Sequence, residues 1–163
     1  MKKKNLSVFG IGPIYVVTIT FLTLVAILLD FFKILDLKVF NFFAMIFVCF
    51  GFAFIIIGIF IWIKATVVSK ISVNIKNNKL VTDGIYGVVR NPIYSAFMFL
   101  NWGVLLILKN ILIFVLIPLY WLLLTLFVKN TEEGWLRNLY GKEYDSYCKN
   151  VNRCIPFRFK KKV

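Results

Sequence analysis

Four long stretches without a charged residue decide what this chain can become. Between Lys4 and Asp30 lie 25 uncharged residues, and between Lys38 and Lys64 another 25. Arg90 to Lys109 encloses 18, and Lys109 to Lys129 encloses 19. At 1.5 Å per helical residue even the shorter stretches reach about 27 Å, close to the roughly 30 Å hydrocarbon core of a bilayer. Inside lipid a backbone N–H or C=O finds no water partner, so such stretches must form helices. Composition agrees: 61% of the 163 residues are hydrophobic, yet Lys and Arg number 20 against 7 Asp and Glu, a net charge of +13. Segregating the two excludes a soluble α/β enzyme, a disordered tail and a disulfide scaffold. The expected fold is all-α: a polytopic membrane helix bundle of about four transmembrane helices with a C-terminal cytoplasmic helical segment. The spans are expected near 12–29, 40–63, 92–108 and 111–128. They belong to one domain over 1–163, with a loop at 64–91 and a tail at 129–163.

The positive-inside rule orients the spans. Lys2 to Lys4, the five cations of 64–90 and the nine from Lys129 onward make seventeen on one side. Lys33, Lys38 and Lys109 lie on the other. An even number of spans therefore places both termini in the cytoplasm. The opening Met-Lys-Lys-Lys resembles that of a signal peptide, but no small-residue cleavage site precedes Asp30, so a retained first span is expected. The Lys, Asn, Ile and Phe bias suggests a microbial cell membrane.

Chemistry within the spans is sparse. No histidine occurs, which removes imidazole as base, nucleophile or metal ligand. Cys49, Cys148 and Cys154 form no C-x-x-C pair, so neither a disulfide framework nor a metal site is expected. No ionisable residue sits mid-span, which disfavours an ion pump or proton relay. Gly51 and Gly58 allow close helix approach.

The connections carry the chemistry. In the loop, Asp83-Gly84 signals a turn, and Asn91-Pro92 starts the third span with Pro at its first helical position. Arg90 and Asn91 then stand at a helix N-terminus, either as anion donors or as a boundary arginine on lipid phosphate. In the tail, Asn130 and Glu133 have the spacing of a capping box, a structural account of the acidic pair Glu132-Glu133. Leu136, Tyr140, Tyr144, Tyr147 and Val151 recur at helical spacing, with Gly141 a break, and suggest a stripe lying in the membrane interface. The last cations suit anionic lipid, and no nucleic-acid partner is expected.

The two segments together resemble a known family. LVTDGIYGVVRNPIY (80–94) is similar to the L-V-T-x-G-x-Y-x-x-x-R-H-P-x-Y motif of the isoprenylcysteine carboxyl methyltransferases. EEGWLRNLYGKEYDSY (132–147), followed by Ile155-Pro156-Phe157, is similar to their second motif, with two spans between the motifs as in the family. The resemblance implies an integral membrane enzyme moving methyl from S-adenosylmethionine to a lipophilic or lipidated acceptor, by carboxyl O-methylation. By position it implies cofactor contacts at Leu80, Val81, Tyr86, Asn91, Pro92, Tyr94 and Glu132, with Arg90 and Glu133 supporting them. Two positions depart from the pattern. Asn91 stands where the family has histidine, and Val128 where eukaryotic members have an arginine near the substrate carboxylate. Lys129 and Arg153 are the candidate substitutes for that arginine. A carboxylate acceptor needs no base, whereas an amine must lose a proton to a carboxylate or tyrosine here, which favours O-methylation. The competing readings are a phospholipid-type N-methyltransferase, a nicotinamide-dependent membrane reductase and a non-catalytic lipid-binding relative.

Overall fold

The computed structural model describes residues 10–35, 37–39, 41–69 and 80–157. The terminal lysines, Lys70, Lys76 and Lys79, counted above for orientation, lie outside the described residues. Among those described, regular structure is helical, apart from two isolated bridges. The apolar helices are α1 Gly12–Phe31, α2 Asn41–Ile63, α3 Pro92–Leu108 and α4 Leu116–Asn130, followed by the short polar helices α5 Glu132–Tyr140 and α6 Lys142–Asn150. Gly12–Phe31, Phe43–Val68 and Ile113–Tyr140 are long and apolar enough to cross a membrane, and Pro92–Leu108 is a shorter apolar helix. Its 17 residues reach about 26 Å, at the short end of the spanning range. The chain is a multi-pass membrane protein.

Helix ends follow local chemistry more closely than charge. α3 starts at Pro92 as expected, because Asn91 is held out of the helix at φ −120°, ψ 62°. The second apolar stretch does not stop at 63. It continues as a π-helical turn, Lys64–Val68, with Ala65 buried. The charge of Lys64 fails to end the helix because its stem runs back along the surface and sets the ammonium 5.6 Å over the Phe60 ring. The fourth stretch starts later than 111. Lys109 takes the left-handed conformation (φ 55°) that closes α3. The Asn110 side-chain oxygen Oδ1 then accepts the Leu112 N–H at 3.1 Å, so the chain passes through a turn and a 3-10 segment, Ile113–Val115, before α4 begins.

Helices α2 and α3 run antiparallel and pack through glycine. Gly58 lies on Ala96 and Leu100, and Gly51 on Gly103 and Ile107. A Cβ on Gly103 would stand 2.5 Å from the Gly51 carbonyl oxygen, so two backbones touch where lipid offers no hydrophobic drive between helices. Replacing Gly103 with Ala is expected to cost about 1–3 kcal/mol by overpacking, read as an earlier unfolding midpoint in detergent.

Helix α1 joins α4 through buried polar groups. The Tyr15 hydroxyl donates to the Tyr120 carbonyl at 3.2 Å, and the Thr23 and Tyr120 hydroxyls share a hydrogen bond at 2.9 Å. At the far end of α1, Asp30 receives the Lys38 ammonium and the Asn110 amide (3.0 Å), tying that end to the α3–α4 turn. The N-termini of α1 and α3 and the C-terminus of α4 therefore share the opposite end, where both motifs lie.

Candidate active site

The site is assembled by the tail crossing the start of α3. Residues 89 and 152 form a parallel bridge. The Arg90 N–H donates to the Asn152 carbonyl at 2.8 Å, and the Asn91 N–H to the Arg153 carbonyl at 3.2 Å. The Asn91 side-chain amide donates to that same Arg153 carbonyl at 2.9 Å. Ser95 continues the seam, its hydroxyl donating to the Cys154 carbonyl at 2.5 Å. Asn91 thus acts as a fixed N–H donor to backbone, a role an imidazole N–H can also fill. Asn91→His is expected to keep the fold's stability, whereas Asn91→Ala strips one of two bonds from a part-buried carbonyl and costs about 0.5–1.5 kcal/mol. Thermal unfolding of the two variants in detergent checks this.

The neighbouring acids diverge, as adjacent residues on a helix must. Glu133 is buried, at 5% exposure, between two guanidiniums: Arg153 Nε at 2.5 Å and Nη2 at 3.1 Å, and Arg90 Nη2 at 3.3 Å. Arg90 also touches the Cys148 thiol, and its Nε is buried without a hydrogen-bond partner among the described residues. This corrects two expectations. Helix α4 runs through Asn130, leaving Thr131 as the junction with no side-chain cap, so the Asn130–Glu133 capping box does not form. Arg90 faces neither lipid phosphate nor solvent, because Glu133 neutralises it inside the fold.

Glu132 points the other way. Its Oε1 accepts the Tyr94 hydroxyl at 2.7 Å and the Ile11 N–H at 3.0 Å, while Oε2 makes no hydrogen bond among the described residues. Tyr86 is buried, and its carbonyl accepts the Tyr147 hydroxyl at 2.5 Å. Leu80 packs against Tyr144, Tyr147 and Val151. That contact corrects the interfacial stripe: these tyrosines are covered by the 80–89 segment, and the exposed apolar face of α5 carries Trp135 and Leu139 instead. Burial pushes the Tyr86 phenol up to about 12 and raises those of Tyr144 and Tyr147 as well. None of the three is a base at neutral pH. Burial likewise pushes the Cys154 thiol up to about 11, leaving it an inert packing group.

The structure therefore brings Leu80, Tyr86, Arg90, Asn91, Pro92, Tyr94, Glu132, Glu133 and Arg153 into one region around the tail crossing. Val81 is half-buried beside Leu80. Lys129 stands exposed on the last turn of α4 with no ion pair among the described residues, and Arg153 is engaged by Glu133. The Ile11 N–H and Ser95 escaped the sequence reading. The glycines on either side of Ile11 are the one sequence signal that could have pointed to a close backbone approach there.

Residues 39–143, well over half of the chain, match the family model for phospholipid methyltransferase. The chain belongs to the phospholipid methyltransferase family. Among curated proteins this family member is 39% identical over 84 residues to the protein-S-isoprenylcysteine O-methyltransferase of Schizosaccharomyces pombe, covering 50% of this chain and 34% of that protein. It is 37% identical over 82 residues to a probable protein-S-isoprenylcysteine O-methyltransferase of Oryza sativa subsp. indica, covering 49% of this chain and 42% of that protein. To protein-S-isoprenylcysteine O-methyltransferase B of Arabidopsis thaliana it is 31% identical over 85 residues, covering 50% and 42%. The chain thus spans between a third and a half of the length of these relatives. No solved structure gives a significant match. The resemblance to isoprenylcysteine methyltransferases holds, and the family match takes in the first motif and both acids of the second.

Proposed function

We propose that this protein methylates the carboxylate of a lipophilic or lipidated acceptor, with S-adenosylmethionine as methyl donor. The observation that carries the reading is the meeting of the two motifs, with Tyr94 at the start of α3 bonded to Glu132 at the start of α5. The residues fit the donor. Among the described residues Glu132 Oε2 has no hydrogen-bond partner and suits an ammonium or a ribose hydroxyl, and the Tyr86 and Tyr94 rings can flank an adenine or face a sulfonium. Leu80, Val81, Asn91 and Pro92 would complete the contacts through backbone and packing. Arg90 and Glu133 work behind them, holding the tail against the start of α3.

S-adenosylmethionine supplies a methyl already activated on sulfonium sulfur. The protein's part is to align the acceptor in line with it and to exclude water. A carboxylate acceptor arrives ionised. That suits a site whose tail phenols are held protonated and whose chain has no histidine. The charge count favours a cytoplasmic site with both termini inside, and a lipophilic acceptor enters it from the bilayer with its carboxylate directed at the methyl donor and away from the like charge of Glu132. We assign exposed Lys129 as the cation for the acceptor carboxylate, since Arg153 is already engaged by Glu133. Amine methylation on a phospholipid headgroup is the second reading, favoured by the family description.

Methyl-labelled S-adenosylmethionine, offered with a polyprenyl or fatty carboxylate and separately with phosphatidylethanolamine, tests the choice. A methyl ester releases labelled methanol in alkali, whereas an N-methyl group does not. Alkali-labile product supports carboxyl methylation, and alkali-stable product moves the activity to the amine.

A further inference from the structure

The family match begins at residue 39 and both motifs lie beyond it, so α1 carries no part of that resemblance. Its first residues nevertheless reach the site. The Ile11 N–H donates to Glu132 Oε1 at 3.0 Å across 121 positions of sequence. The approach is so close that neither flanking residue has room for a side chain. A Cβ on Gly10 would run into Glu132 Oε1, and one on Gly12 into the Tyr94 ring. Gly10 is also at φ +35°, a conformation that L side chains rarely adopt. One turn into α1, buried Tyr15 sets its ring 6.4 Å from that of Tyr94.

Two donors therefore converge on one oxygen of Glu132, one from α1 and one from α3. They fix the rotation of the carboxylate and direct its second oxygen away from both. We propose that the Ile11 backbone N–H is a positioning group for ligand binding, with Gly10 and Gly12 present to let it approach. The first span is then part of the binding site as well as a membrane anchor. Without this donor only the Tyr94 hydroxyl holds Glu132, so the carboxylate can pivot about that one bond and meets the ammonium or ribose hydroxyl of a ligand in several orientations. This inference rests on the cofactor reading above.

The test is titration calorimetry of the full chain in detergent with S-adenosylhomocysteine, alongside thermal unfolding. Ile11→Pro deletes the N–H at a residue whose φ of −90° lies near proline's range. Its dissociation constant is expected to rise about tenfold, the effect of one hydrogen bond to a charged group, with the melting temperature little changed. Ile11→Ala, which restores the N–H, should recover the affinity. Gly10→Ala keeps the N–H but sets a methyl against Glu132 Oε1, and should also weaken binding. It provides the test should Ile11→Pro not fold. Wild-type affinity in Ile11→Pro, or in Gly10→Ala where that is the test, overturns the inference while leaving the cofactor reading intact. So does an equal loss in Ile11→Ala and Ile11→Pro. Folded wild-type protein that binds no S-adenosylhomocysteine sinks the cofactor reading, and this inference with it.

Discussion

Glu132→Ala is expected to weaken S-adenosylhomocysteine binding by about 100-fold or more while leaving the protein folded. The carboxylate accepts two hydrogen bonds on Oε1 and has Oε2 available to a ligand cation or hydroxyl. Losing a charge-assisted contact to a ligand costs about 1.5–3 kcal/mol, and each 1.4 kcal/mol is tenfold in affinity. The disordering of Tyr94 and of the start of α1 adds to this. Stability should fall little, because Glu132 is only part-buried and its two donors can turn to water. Calorimetric affinity beside a melting curve separates the two effects. Unchanged affinity in folded protein would reduce Glu132 to an acid that merely suits a helix start.

Glu133→Gln should do the reverse and act mainly on stability. The substitution keeps the shape and removes the charge that neutralises Arg90 and Arg153. The Glu133 and Arg90 side chains are 7% and 8% exposed, and the Arg90 Nε already lacks a hydrogen-bond partner among the described residues. Removing one member of a buried ion cluster costs about 3–5 kcal/mol, because the remaining charges stay out of water uncompensated. Denaturant unfolding in micelles should show a loss of that size, with the tail released from the 89–95 segment and more open to protease. A loss below about 1 kcal/mol would mean that the cluster relaxes into solvent and does not hold the tail.

Much of this was legible in the sequence because lipid leaves the backbone few choices. Uncharged stretches gave the four apolar helices, and Asn91-Pro92 gave the start of α3 to the residue. What the sequence missed came from tertiary partners. Lys64 marks a charge but not a helix end, since a flexible stem and the Phe60 ring make it tolerable within a turn. Asn130 and Glu133 had capping spacing, but α4 stayed helical through Asn130 and two arginines from elsewhere claimed Glu133. The stripe of Tyr144, Tyr147 and Val151 was real in period, and its partner turned out to be Leu80 rather than the membrane surface. The two acids read as a pair, while their opposite directions depend on a helix phase that sequence alone did not fix. The role of Ile11 is a backbone role, which no side-chain motif can announce.

On the proposed reading, the two motifs and the start of α1 form a pocket for an S-adenosyl ligand. Calorimetric titration of the detergent-purified protein with S-adenosylhomocysteine, with NADPH as the parallel ligand, tests this. Saturable one-site binding of S-adenosylhomocysteine alone is the predicted result. Binding of NADPH alone, or of neither ligand by folded protein, would contradict it.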